Sequence, residues 1–201
     1  MGSGMAKYGI TYKGSLDDQG NKNGIGLIEF PNGDKYEGQF KNDKREGKGK
    51  LIFKSGDIYE GEFRDDKRNG FGIYFFKNGD RYEGQYVNDK RNGLGKIFFK
   101  NGNWYEGEIK DGQRDGRGVF HFINGDRYEG EYKNNKREKF GTTYFANGDK
   151  YVGDHFQSKR TGKGILYYNN GDRYQGDFID GEIKGNGIMF YANGQQKYFD
   201  N

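Results

Sequence analysis

Three groups of residues have types and spacings that would suit chemistry. Glu60 and Glu62, Glu106 and Glu108, and Glu129 and Glu131 are carboxylates two residues apart. On a strand each pair would share a face at roughly 6.5–7 Å, which overlaps the separation used by inverting glycosidases. His121 and His155 are the two histidines, a beginning for a metal site. Gly-X-Gly pairs such as Gly162-Lys163-Gly164 suggest loops that cradle phosphate. Each group falls short on its own chemistry. A catalytic carboxyl pair needs a pocket that shifts one pKa, the histidines have no cysteine to complete a ligand set, and the glycine pairs lack the third glycine and the following helix. The glutamates read as a solvated face of alternating charge, and the glycines as clearance for rings. No catalytic residue, metal ligand, cofactor or small-molecule substrate is expected.

The elements that must position these residues follow from a repeat. GDKYEGQF at Gly33 recurs as GDIYEGEF, GDRYEGQY, GNWYEGEI, GDRYEGEY, GDKYVGDH and GDRYQGDF, on a register of 23 residues. Within one unit Tyr59-Gly61-Phe63 and Gly70-Gly72-Tyr74-Phe76 alternate with period two, as strands do. Asn-Gly junctions such as Asn78-Gly79 join successive units, and Asn-Gly is a strong hairpin signal. A lone hairpin is marginal in water, so the units must pair edge to edge. The expected fold is all-β, an elongated single-layer antiparallel sheet of tandem β-hairpins. At about 4.8 Å per strand, eight repeats would extend roughly 75 Å.

Two columns of rings then line one face: Tyr36, Tyr59, Tyr82, Tyr105, Tyr128, Tyr151 and Tyr174, and a second running from Phe30 to Tyr191. The glycines Gly38, Gly61, Gly84, Gly107, Gly130, Gly153 and Gly176 share the tyrosine face, and a bare backbone there lets a ring lie flat. A core one side chain deep suits the composition. Hydrophobic residues make up 31% and charged residues 32%, a balance that leans toward disorder until the 17 Tyr and 17 Phe are counted. The boundaries read as 1–7, a disordered start or cloning remnant; 8–193, eight repeats of 23–24 residues; and 194–201, a partial terminal repeat.

Charge and cysteine content narrow the partners. The net charge of +4 comes from 34 basic and 30 acidic residues that are interspersed, unlike the clustered basic face of a nucleic-acid binder. The absence of cysteine, of a long apolar run and of an apolar N-terminal stretch gives the expectation of a soluble intracellular protein.

Two surfaces stand out as docking candidates. Lys44 and Arg45, Lys67 and Arg68, Lys90 and Arg91, Lys136 and Arg137, and Lys159 and Arg160 occupy one loop position, an edge that could meet acidic lipid headgroups or acidic protein tails. Aspartates in the same loops cancel much of that field. On the face away from the tyrosines, Phe71, Ile73, Phe75, Leu94, Phe98, Val119, Phe140, Tyr144, Ile165 and Tyr167 form an apolar stripe. In a single layer nothing from this chain backs them, so the stripe is expected to meet a partner, either a second copy or an element of another protein. Lys139, in place of the first glycine of its pair, marks a local kink or contact site.

The YEG-X-aromatic stretch, the spacer ending in Gly-X-Gly, the aromatic strand and the NGD turn together resemble the MORN repeat, from about Tyr8 to Asn193. The resemblance implies β-hairpin units in elongated sheets. It also implies a non-catalytic role as a cytoskeletal or ciliary scaffold, or as a membrane-junction protein that binds phospholipid. The opening repeat, Tyr12-Lys13-Gly14, the loop LDDQGNKN and Gly24-Ile25-Gly26, is similar to that of the MORN subunits of radial spoke heads, which points to an axonemal setting.

Overall fold

The structure, a computed structural model, describes residues 2–4 and 10–200. Tyr8, where the repeats were expected to begin, lies outside the described residues, as do 1, 5–7, 9 and 201. The chain forms two units that divide after Lys100. In the first unit the strands are β1 (Gly2–Gly4), β2 (Thr11–Leu16), β3 (Lys22–Glu29), β4 (Lys35–Lys41), β5 (Lys44–Ile52), β6 (Ile58–Arg64), β7 (Lys67–Phe75), β8 (Arg81–Val87) and β9 (Lys90–Phe98). In the second they are β10 (Trp104–Lys110), β11 (Gln113–His121), β12 (Arg127–Lys133), β13 (Lys136–Tyr144), β14 (Lys150–Phe156), β15 (Lys159–Tyr167), β16 (Arg173–Ile179), β17 (Glu182–Phe190) and β18 (Gln196–Phe199). Each unit is a single-layer antiparallel sheet in which every strand pairs with its neighbours in sequence. The described residues contain no helix.

The seven column tyrosines, Tyr36 to Tyr174, are fully buried. They alternate with Phe40, Phe63, Tyr86, Ile109, Tyr132, His155 and Phe178, also buried, at the other end of the first strand of each repeat. The rings meet edge to face in a zigzag: Tyr36 lies 5.1 Å from Phe40 and 5.0 Å from Phe63, and Tyr59 lies 5.2 Å from Phe63 and 5.1 Å from Tyr86. Such pairs contribute about 0.5–1.5 kcal/mol beyond their burial. The expected second column is displaced. Phe53 and Phe76 come just after the strands and are half-buried, while Leu51, Ile97, Phe120 and Leu166 are the buried partners opposite the tyrosines. The strand pattern continues past its end only in sequence, because the chain turns there.

Glycine has two separate roles. A Cβ at Gly38 would come within 2.5 Å of Gly49 Cα, and one at Gly49 would collide with the ring and hydroxyl of Tyr36. These positions are the ring clearance read from sequence. Gly47, the first glycine of the pair, is different. It sits at a register shift, where Gly38 faces Gly49 but Phe40 faces Arg45, and has φ of +75°. It is required by a β-bulge, not by a ring. The Tyr36 hydroxyl donates to the carbonyl of Gln39 opposite that bulge at 2.9 Å, and the same bond recurs at Tyr59, Tyr82, Tyr105 and Tyr151.

The turns also differ in kind from the expectation. The charged connection is the two-residue turn with two positive φ values, 48° at Asn42 and 66° at Asp43. At the Asn-Gly junction only the glycine is left-handed: Gly33 N–H donates to Phe30 O, and Phe30 N–H to Asp34 O, which makes a three-residue loop. Asn32 contributes through its side chain, which accepts from Asp34 N–H at 3.0 Å. In β18 Lys197 stands opposite Met189, at the column position. Tyr198 therefore faces outward and Phe199 lies over Gly187, 6.1 Å from Tyr174.

Candidate binding face

The residues that could do chemistry are spoken for locally. Glu60 pairs with Lys50 at 2.8 Å, Glu131 with Lys139 at 3.1 Å and Glu129 with Arg127 at 3.6 Å. Glu108 accepts the backbone N–H of Arg117 at 2.8 Å, as Gln39 accepts that of Lys48 at 2.7 Å, so this side chain ties off the bulge. His121 lies flat on Trp104, with ring centres 3.7 Å apart, on the outer face. His155 is buried in the ring ladder between Tyr128 and Tyr151. Among the described residues no group of three or more His, Asp or Glu could hold a metal ion.

The basic residues expected in loops are instead the first two residues of the second strand of each repeat, such as Lys44 and Arg45 in β5, because the turn is confined to the two residues before them. They split by type. Each arginine is a strap to the next repeat: Arg45 bonds the backbone carbonyl and the carboxylate of Asp66, Arg68 those of Asp89, Arg137 the carbonyl of Ser158 and Arg160 that of Gly181. The guanidinium also covers rings, with Arg45 5.7 Å from Tyr36 and 5.2 Å from Phe63. The lysines project further. Lys44 pairs with Asp65 at 2.7 Å, Lys159 with Asp180 at 2.9 Å, and Lys136 reaches Gln157; Lys67 and Lys90 are exposed at the same position. Arg91 belongs to the same series and lies 5.3 Å from the Tyr82 ring.

The stripe residues lie on the face opposite the tyrosines, and cross-strand register sorts that face into rows. In the second unit the row nearest the Asn-Gly turns runs Trp104, His121, Arg127, Tyr144, Lys150, Tyr167, Arg173, Phe190, Gln196. Cations lie over rings along it: Arg127 over Tyr144 at 4.3 Å, Lys150 over Tyr167 at 4.5 Å and Arg173 over Phe190 at 4.3 Å. In the first unit Arg81 covers Phe98 in the same way, also at 4.3 Å. The next row continues from Glu129 as Thr142, Val152, Ile165, Gln175, Ile188 and Tyr198. Its counterpart in the first unit is Lys13, Leu27, Glu37, Lys50, Glu60, Ile73, Glu83, Lys96, charged at all but two places. Phe71, Leu94 and Phe140 form the third row of the stripe and are more than half exposed, whereas Ile73, Val119 and Ile165 are half-buried and Phe75 is just exposed.

Two open depressions lie on the outer face of the second unit. A cavity of about 680 Å³ is lined by Phe140, Val152, Ile165, Ile188 and Tyr198, with Lys163 and Asp200 at its rim. A second of about 440 Å³ involves Val119, Phe140, Thr142 and Tyr144. Val152 and Tyr198 were not apparent in the sequence. Val152 replaces a glutamate of the YEG phrase, and Tyr198, one place out of register in the sequence, meets Ile188 on the outer face because Lys197 takes the column position.

A sheet of tandem hairpins, clamped by tyrosine over glycine and presenting one uncovered face, defines a β-hairpin repeat protein. The chain belongs to the MORN repeat family, whose model matches residues 18–35, 36–58, 59–81, 82–104, 105–127, 128–150, 151–173 and 174–196. Among solved structures it is similar to the TCP10 domain of Danio rerio CPAP, with a TM-score of 0.58 at 14% identity, covering 97% of this chain and 91% of that one. The same domain in complex with a peptide of Danio rerio STIL gives a TM-score of 0.57 at 15% identity, covering 93% and 82%. At these identities the likeness is one of fold. Comparison with curated protein sequences finds no match.

Proposed function

We propose that this protein is a non-catalytic scaffold that organises other proteins through the outer face of its second unit. The observation that carries this reading is the uncovered row Val152, Ile165, Ile188, Tyr198, where the first unit has alternating charge. A solvated surface gains nothing from such a row, and contiguous exposed apolar area marks interaction sites. The similarly folded TCP10 domain of Danio rerio CPAP is seen in complex with a peptide, which supports a protein-binding reading. The setting we infer is cytoskeletal, in the ciliary axoneme, and the opening repeat with its resemblance to radial spoke head subunits is what supports it.

A membrane adaptor that binds acidic phospholipid is the weaker reading, because the arginines of the basic edge are consumed as straps between repeats. A mild pulldown with the full chain and with Phe140→Asp and Tyr198→Asp tests the proposal. Both residues are more than half exposed, so the fold should survive. Specific partners, axonemal proteins among them, should be recovered by the parent chain and lost with the variants. Sedimentation with anionic vesicles that is abolished by charge reversal at Lys44, Lys67, Lys90 and Lys136 would favour the membrane instead.

A further inference from the structure

We infer that the trough on the second unit receives an amphipathic helix with an acidic flank, lying across strands β13 to β18. This rests on the reading that the outer face is the docking surface, and adds what docks there. The charge pattern selects the partner. The row Arg127, Tyr144, Lys150, Tyr167, Arg173, Phe190 contains three cations and no carboxylate, where the equivalent first-unit row Lys35, Ile52, Ile58, Phe75, Arg81, Phe98 has two cations; Glu129 of the next row pairs with Arg127 at 3.6 Å. Ring contacts at 4.3–4.5 Å hold those cations in place over Tyr144, Tyr167 and Phe190, in the row beside the trough. Beside them the row from Thr142 to Tyr198 holds no charged residue, and Glu129 borders it at the β12 end. A ligand for both rows needs an apolar seam with acidic residues along one side of it.

Dimensions favour a helix. Rows two residues apart on a strand are separated by roughly 6.5–7 Å, so three rows span about 13 Å, the width of a helix with its side chains. Six strands at about 4.8 Å spacing extend some 24 Å, which a helix of about 16 residues would cover. The open depressions of about 680 and 440 Å³ share Phe140 and so lie end to end along this line. A second copy of the chain would set trough against trough. Single-stranded nucleic acid would need open ring faces for stacking, and the cations already cover Tyr144, Tyr167 and Phe190.

The test uses the full chain and three labelled helix-forming peptides of about 16 residues with the same leucine seam. One carries glutamate on the flank, one lysine, and one a scrambled order. Fluorescence anisotropy at low salt should show the glutamate peptide binding at least about tenfold more tightly than the lysine peptide, with the preference falling as salt rises. The double variant Lys150→Glu, Arg173→Glu should reverse the order, and Tyr198→Asp should weaken both peptides; circular dichroism checks that each variant is folded. No binding of the glutamate peptide, or equal binding of both flanks, overturns the inference. So does displacement by oligothymidine, or a dimer whose formation excludes the peptide. If the peptides fail while pulldown partners are still lost with Phe140→Asp and Tyr198→Asp, the helix is wrong and the scaffold reading stands. Partners unaffected by those variants would overturn the scaffold reading itself.

Discussion

His155 shows what one side chain costs inside a ladder of rings. Its neighbours at the equivalent position, Phe63 and Phe178, are apolar, and it meets Tyr128 at 5.0 Å and Tyr151 at 5.3 Å in the same edge-to-face geometry. Its Nδ1 lies 3.2 Å from the carbonyl of Gly153. Burial, reinforced by Arg137 and Arg160, pushes the imidazole down to about 4. The folded chain therefore holds it neutral at pH values where the unfolded chain binds a proton. Stability is fully present above the unfolded value near 6.5 and is lost as pH falls toward 4, by on the order of 2–3 kcal/mol. His155→Phe should remove this term. Urea unfolding at pH 7 and pH 4.5 should show the variant's advantage growing on the acid side, and an advantage independent of pH would contradict the account. In the sequence His155 stands 23 residues from Tyr132 and from Phe178, a ring position; that spacing could not show burial, which depends on the next repeat closing over it.

At the scale of the hairpin, the recurring device is a bulge read by three groups. The first glycine of each pair supplies a left-handed backbone, the side chain of Gln39, Glu108 or Asp177 takes the N–H that follows, and the tyrosine hydroxyl takes the opposing carbonyl. In the sixth repeat Lys139 must hold the same conformation, with φ of 52°. The kink or contact site expected there is thus a strained bulge in a hairpin of otherwise ordinary pairing. Its ion pair with Glu131 is exposed and worth little. Lys139→Gly should stabilise the chain by about 1 kcal/mol, seen as a rise in Tm, because a left-handed L-residue costs that much or more. A fall in Tm would mean the ion pair outweighs the backbone. Alternation with period two made the strands and their faces legible. It could not reveal the bulge, since an extra residue preserves the spacing of aromatics while shifting their partners. Nor could it reveal the straps, in which Asp57 accepts from Lys77 N–H and Arg68 reaches Asp89, because 20 and 21 residues are not the repeat length.

For the molecule as a whole, repetition turns a local property into a collective one. Burial raises the hydroxyl pKa throughout the tyrosine column, to about 12 at Tyr36, Tyr82, Tyr128 and Tyr151 and further at Tyr59 and Tyr105, with the strap arginines opposing it. These groups are neutral when folded and ionise near 10 when unfolded, so their contribution is complete below pH 10 and is lost as pH rises toward 12. Each hydroxyl also closes a bulge, and each ring touches the rings of the repeats beside it, so ionising one weakens the burial of its neighbours. Alkaline titration should therefore show the column tyrosines ionising in one steep step, coincident with loss of the sheet signal in far-ultraviolet circular dichroism. A phenolate absorbance that climbs gradually while the sheet signal persists would show that the clamps act singly. The sequence made the clamp visible by repeating it, and it left the outer face ambiguous because function there lies in departures from the repeat. Val152 in place of glutamate and Tyr198 out of register break the period, and both line the trough.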